Sequence, residues 1–297
     1  MTEISRISTG IGVLDKTLSG GLIKGGIYLI SGDVGIGKTT AALQFLLNGI
    51  QAGEKVAMFT DTSQKNLIED MHYLGLDIES PINNGTLLII ALSRQFEDLK
   101  NKVIERKENP NKVLTKILSE INNTVKQNNI KRLVIDPINL VIMPSPSVYT
   151  YAKTLISTIG DPSCTTIVTS GILSPNDPSV YSITEHVSGV IILSYDDSLK
   201  RSRFFSIKKM RGTYCNPDLH KFTILFGKGI CGPDEKPSET YIPDEKPSET
   251  YIPDEKPSET YIPDEKPSET YIPDEKPSET YIPDVRPNSH GRNRYTF

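Results

Sequence analysis

No apolar run in this 297-residue chain approaches the roughly 18 consecutive residues that cross a bilayer. The opening Met1-Thr2-Glu3-Ile4-Ser5-Arg6 also lacks the apolar core of a signal peptide. A soluble, cytoplasmic protein with no membrane role is the expectation. Cysteine is equally scarce: Cys164, Cys215 and Cys231 are widely spaced and form no CxxC pair. That spacing argues against a disulfide framework or a structural zinc site and leaves reduced thiols. Nor is there a cluster of Lys and Arg interleaved with aromatic residues, the footprint of a nucleic-acid surface.

The length suits one large α/β domain with something added. The addition is a ten-residue unit, Pro-Asp-Glu-Lys-Pro-Ser-Glu-Thr-Tyr-Ile, which runs five times without change from Pro233 to Ile282. A basic stretch, 283–297, follows it. The repeats contribute −10 to a formal net charge of −4, so the remaining residues carry +6. With two prolines, four charges and one Tyr-Ile pair, a unit cannot bury enough apolar surface to offset the entropy of ordering it. Disorder with polyproline II character is expected. The composition favours a soluble spacer, with a multivalent ligand for a protein partner as the alternative. The expected boundaries are therefore 1–232 for the folded domain, 233–282 for the repeats and 283–297 for the tail.

Within the domain the strongest pattern is Gly32-Asp33-Val34-Gly35-Ile36-Gly37-Lys38-Thr39, which meets every fixed position of the phosphate-cradling loop G-x-x-x-x-G-K-[ST]. Ile27 to Ile30 reads as a buried strand entering the loop, and Thr40 to Leu47 as a helix leaving it. Glycine permits the backbone angles that turn main-chain N–H groups onto phosphate oxygens, and the helix start presents positive potential to the same anion. Lys38 is then the cation for the β and γ phosphates of ATP, and the Thr39 hydroxyl a ligand to Mg²⁺. Lys131-Arg132-Leu133-Val134-Ile135-Asp136 is a continuous apolar strand ending in one carboxylate. A parallel strand would deliver Asp136 beside the loop as support for the metal. Further strands are read at 55–60, 86–90 and 164–170, the last ending in the hydroxyl residues Thr169 and Ser170. Leu114, Ile117, Leu118, Ile121 and Val125 mark the core face of a helix.

The segment Ser8-Thr9-Gly10-Ile11-Gly12-Val13-Leu14-Asp15 through Gly20-Gly21-Leu22 to Gly25-Gly26, placed ahead of the loop, resembles the opening of KaiC-type and RadA-type ATPases of the RecA superfamily. Lys209-Met210-Arg211-Gly212-Thr213 is similar to a KaiC motif. The resemblance covers Ser8 to about Gly232 and implies a RecA-like P-loop NTPase fold, a twisted, mainly parallel sheet flanked by helices. It further implies a homo-oligomer, such as a hexamer, in which Lys209 and Arg211 reach the neighbour's γ phosphate. Where the family carries two adjacent glutamates to activate water, this chain has Asp61-Thr62, so slow hydrolysis of ATP is expected, with Asp61 as the remaining base. An antiparallel pair, 185–193 with 203–208, is expected to close the sheet edge. Thr169 and Ser170 fall where related ATPases keep residues that sense the terminal phosphate, and the loop 171–182 lies where recombinases keep a DNA-contacting loop but contains no Lys or Arg, which argues against contact with a phosphate backbone. A regulatory ATPase is the expectation, with a recombinase-accessory ATPase that binds single-stranded DNA, or a non-hydrolysing ATP-dependent scaffold, as the alternatives.

Overall fold

The computed structural model describes residues 4–91, 98, 101–105, 109–142, 148–174, 178–196 and 201–238. The chain divides into two units, Met1–Pro243 and Asp244–Phe297. The second, with most of the repeats and the basic tail, lies outside the described residues.

The first unit begins with β1 (Arg6–Ile7), α1 (Gly12–Thr17) and β2 (Leu22–Ile23), where β1 and β2 pair as a small antiparallel ribbon. The opening motif is explained locally. The Asp15 carboxylate accepts from the Ser8 hydroxyl at 2.6 Å, the Thr9 N–H at 2.8 Å and the Thr9 hydroxyl at 2.7 Å. Gly21, at φ +114°, lies so close to the Ile7 carbonyl that a Cβ has no room.

The main sheet follows: β3 (Ile27–Gly32), α2 (Lys38–Gln51), β4 (Val56–Thr60), α3 (Gln64–Tyr73), α4 (Glu79–Asn83), β5 (Leu87–Ala91), α5 (Pro110–Gln127) and β6 (Arg132–Asp136). After a 3₁₀ turn come α6 (Val148–Ile159), β7 (Thr165–Ser170), α7 (Pro178–Tyr181), α8 (Ile183–His186), β8 (Gly189–Tyr195), β9 (Arg203–Met210), β10 (His220–Leu225) and β11 (Gly229–Cys231). The nine strands lie in the order β11-β10-β9-β8-β3-β7-β6-β4-β5. From β8 to β5 every neighbouring pair is parallel. Parallel sheets need cover on both faces, and the alternation along β3 supplies it. Ile27 and Leu29 face a core built with Leu114, Ile117, Leu118, Ile121 and Val125 of α5 and with α6, while Tyr28 and Ile30 face one built with α1, α2 and α3.

The sheet corrects one expectation. β8 and β9 do pair antiparallel, with a bulge between Val190 and Ile191, but they do not close the edge. β10 adds to β9, and β11 to β10. Gln44, in the helix that leaves the loop, fixes this extension: its amide nitrogen donates to the carbonyls of Gly10, Lys228 and Ile230 at 2.9–3.0 Å, and its oxygen accepts from Ile230 N at 2.8 Å.

Candidate phosphate-binding site

β3 ends in the centre of the sheet, between β7 and β8, and its last residue opens the loop. Gly32 packs against the Leu193 carbonyl so tightly that a side chain would collide with it, while Gly35 (φ +74°) and Gly37 (φ +114°) take left-handed conformations. Gly37 is the N-cap of α2 and no side chain caps the helix. The first-turn N–H groups of a 14-residue helix are therefore left for an anion. The Lys38 Nζ turns back and donates to the carbonyls of Gly32 at 3.0 Å and Asp33 at 2.6 Å. Burial pulls its pKa below the ordinary lysine value, against the opposing pull of Asp136 and Asp33.

The next residue makes the second contact. The Thr39 hydroxyl donates to Asp136 Oδ2 at 2.7 Å, and the Thr169 hydroxyl donates to Asp136 Oδ1. Asp136 is 7 % exposed and Thr169 fully buried. The register explains the meeting, because Ile135 pairs with Val168 and the next residues, Asp136 and Thr169, emerge together at the carboxyl edge. Ser170 donates instead to the Gly171 carbonyl at 3.0 Å. Thr60 pairs with Asp136 across β4 and β6, so Asp61, exposed, is the first residue past that edge.

Two cavities flank the loop. One, of about 540 Å³, is lined by Gly35, Gly37, Lys38, Thr39 and Thr40, with Thr62, Met71, Leu74, Arg203 and Ile224 across from them. The other, of about 730 Å³, lies against Gly32, Asp33 and Val34 and includes Tyr195 and Arg201. Tyr195 sits between them and donates its hydroxyl to the Gly35 carbonyl at 3.0 Å. The guanidinium groups of Arg201 and Arg203 lie 5.7 and 5.6 Å from its ring centre. Arg203 Nε is buried with no hydrogen-bond partner among the described residues. Sequence reasoning missed this trio; its only signal is strand register, which sets Tyr195 opposite Arg203.

Lys209 and Arg211 sit elsewhere. Lys209 pairs with Val190 and Met210 with Gly189, which in turn pairs with Tyr28 at the start of β3. Since Arg211 N bonds to the Ser188 carbonyl and Ser188 N to that of Ile27, Arg211 is about five strand residues, or roughly 16 Å, from the level of this chain's own loop. Both side chains point the same way. The Lys209 Nζ donates to the carbonyls of Thr184 (2.7 Å) and Glu185 (3.0 Å), and Arg211 Nη2 to that of Glu185 (2.9 Å). Burial first, and the Arg211 charge second, lower the Lys209 pKa, while Glu185 opposes them.

Comparison with known proteins places this geometry. The family model for the KaiC ATPase matches residues 7–231. The chain belongs to the KaiC ATPase family. It is 28 % identical over 229 residues to the circadian clock oscillator protein KaiC of Picosynechococcus, covering 74 % of this chain and 43 % of that protein. It therefore spans less than half the length of that relative. A UPF0273 protein of Thermotoga maritima is 30 % identical over 241 residues, covering 76 % of this chain and 95 % of its own length. Among solved structures, a KaiC-like protein of Pyrococcus horikoshii superposes with a TM-score of 0.62 at 26 % identity, covering 77 % of this chain and 99 % of that one.

The KaiC-family match ends at Cys231, the last residue of β11, so it excludes the repeats. Within it the residues suit a magnesium nucleotide. Thr39 and Asp136 supply hard oxygen atoms, and among the described residues no cluster of three or more His, Cys, Asp or Glu competes for a metal. That is the donor set for an ion that keeps water and phosphate oxygens as its other ligands. Among the described residues, the hydrogen-bond partners that Lys38 would exchange for phosphate oxygens are the carbonyls of Gly32 and Asp33.

Proposed function

We propose that this KaiC-family domain binds Mg-ATP at residues 32–40, hydrolyses it slowly, and works as an oligomer in which Lys209 and Arg211 of one subunit serve the nucleotide of the next. The observation that carries the nucleotide reading is the hydrogen bond from Thr39 to Asp136 at the foot of the loop. It leaves the threonine lone pairs free for a cation, with the carboxylate held behind them. The N–H groups of Gly35 to Thr40 would cradle the phosphates, and Lys38 would leave the Gly32 and Asp33 carbonyls to meet them. Bound magnesium would neutralise charge that develops on the phosphate oxygens. Tyr195 holds the loop through Gly35, and Arg203, which lines the cavity and whose Nε has no partner among the described residues, would contact the bound nucleotide from there. Asp61 stands at the end of β4 beside this edge as the group that would orient water. Its reach is one methylene shorter than a glutamate's, and Thr62 offers no carboxylate, so turnover is slow.

The placement of Lys209 and Arg211 at the opposite end of the strands supports action in trans, because β8 and β9 hold them away from this chain's own loop. An oligomer with DNA-independent, ATP-dependent assembly and a regulatory output is the reading that follows. The test mixes Lys38→Ala protein with Arg211→Ala protein, each inactive alone. Recovered phosphate release in the mixture is expected, since some interfaces then join an intact loop to an intact Arg211. A mixture that forms mixed oligomers and stays inactive overturns the trans assignment.

A further inference from the structure

The contacts of the domain run on into the first repeat. The β10–β11 turn, Phe226–Lys228, is tied to the end of α3 by Gly227 N donating to the Leu74 carbonyl at 2.8 Å. The Phe226 ring lies over Gly75, where a Cβ would be 2.5 Å from its Cζ. Between them opens a groove of about 250 Å³ with Ile68, Leu76, Ile78 and Phe226 as apolar walls and His72, Asp77 and Glu79 as polar ones. The repeat array starts along its rim. Glu235 accepts from Gly232 N at 2.9 Å and its other oxygen is 3.6 Å from Lys228 Nζ. Ser238 N is 3.4 Å from the Phe226 carbonyl, and its Oγ packs where a Cβ on Gly227 would be 2.8 Å away. Of residues 233–238, Ser238 alone is half-buried; the other five are exposed. The chain thus meets the domain at Phe226, one wall of the groove.

We propose that this groove is a receptor for the repeat unit and that its occupant is the Tyr241–Ile242 pair of the first repeat. These are the only large apolar side chains in the unit. They follow Ser238 by three and four residues, a reach of about 10 to 14 Å for extended chain, and the anchor at Ser238 lies on Phe226, a groove wall. Glu235 is held by Lys228 and Ser238 by the Phe226 carbonyl, so the last described residue before the pair lies against a wall of the groove. A positive-φ glycine at 227 (φ +70°) is what lets Ser238 come this close. Since the five units are identical, a free decapeptide of the same sequence is a competitor for the site. The inference does not depend on nucleotide binding.

The chain contains no tryptophan, so Tyr241→Trp in the full-length protein provides a single emitting reporter, and Tyr281→Trp, in the last unit, a reporter in the same local sequence. Acrylamide quenching of the Tyr241→Trp protein is expected to rise severalfold when Phe226→Ser removes a wall of the groove, and to rise again with excess free decapeptide in the intact groove. Far-ultraviolet circular dichroism checks that the Phe226→Ser protein is folded. If it is not, Lys228→Glu, which breaks the ion pair that holds Glu235, replaces it and is expected to act in the same direction. The Tyr281→Trp protein is expected to be less sensitive to both. Quenching of the Tyr241→Trp protein that is unchanged by the groove substitution and by free decapeptide overturns the proposal.

Discussion

Asp136→Asn separates the metal from the nucleotide. In the wild-type chain the carboxylate accepts from two hydroxyls, those of Thr39 at 2.7 Å and of the buried Thr169. Asparagine fills the same space but has one accepting oxygen, so one of the two threonines must face its N–H₂ group. Because both neighbours can still hydrogen-bond, the fold is expected to survive with a small change in melting temperature. The metal fares worse. On the proposed reading Asp136 would support the cation through Thr39, and losing such a partner costs about 10–100-fold in metal affinity, or about 1.4–2.7 kcal/mol. Titration calorimetry of ATP with and without Mg²⁺ reads this directly. Wild-type protein should bind ATP more tightly with magnesium, and Asp136→Asn protein should lose most of that difference while retaining the magnesium-free affinity. Lys38→Ala, which removes the loop's side-chain cation, should weaken binding in both conditions. An Asp136→Asn protein with the full magnesium effect would mean that the cation is held elsewhere.

Three further outcomes are expected. Asp61→Asn should abolish ATP turnover and Thr62→Glu should raise it, as phosphate release under saturating ATP would record; no effect from either would place water activation on another group. Burial pushes the Cys164 thiol up to about 12 and raises that of Cys231, and both are buried, whereas Cys215 is half-exposed. A thiol-specific reagent at mildly alkaline pH should therefore modify the native protein rapidly at Cys215 alone, which peptide mapping would locate. His186 has a pKa lowered chiefly by burial, its Nε2 lacks a partner among the described residues, and its ring meets Tyr149 at 4.8 Å. The unfolded chain then takes up a proton that the folded chain resists, so stability should fall as pH drops below the ordinary histidine value of 6.5; His186→Phe should flatten that part of a melting-temperature profile.

The loop and Asp136 were legible because short rules govern them: glycine where φ is positive, a strand before, a helix after, and a carboxylate at the end of an apolar run. The core face of α5 was legible for the same reason, its stripe at Leu114, Ile117, Leu118, Ile121 and Val125 being buried throughout. What could not be read was pairing across distance. Tyr195 and Arg203 meet only because β8 and β9 turn back on each other in one register, and a tyrosine and an arginine eight residues apart carry no motif. The strands β10 and β11 were missed because β11 is three residues long and its specification comes largely from Gln44, nearly two hundred residues earlier. Lys209 and Arg211 were legible as a motif, but their position at the far end of the sheet required the strand order.

That position gives β9 a double role on the proposed reading. Its first residue, Arg203, stands in the wall of this chain's own cavity, and its last residues carry Lys209 and Arg211 to the other end. On that reading eight residues of strand would lie between two nucleotides, one held in cis and one presented by a neighbour. In the single chain the two cations are not idle, because three hydrogen bonds to the Thr184 and Glu185 carbonyls occupy them. To reach a neighbour's phosphate they must exchange these for charge-assisted bonds, so only the difference between the two sets favours assembly. This difference grows with the negative charge presented. A γ phosphate, which adds charge at the reaching distance, should draw the cations off α8 where a diphosphate does not. ATP and ADP would then differ in the assembly they support even if each bound its own loop equally well. Lys209→Ala, by removing two of the three carbonyl bonds along with one cation, should lower that discrimination more than it lowers nucleotide affinity. Sedimentation in saturating ATP or ADP would measure it, and equal assembly of wild-type protein in the two nucleotides would refute the exchange.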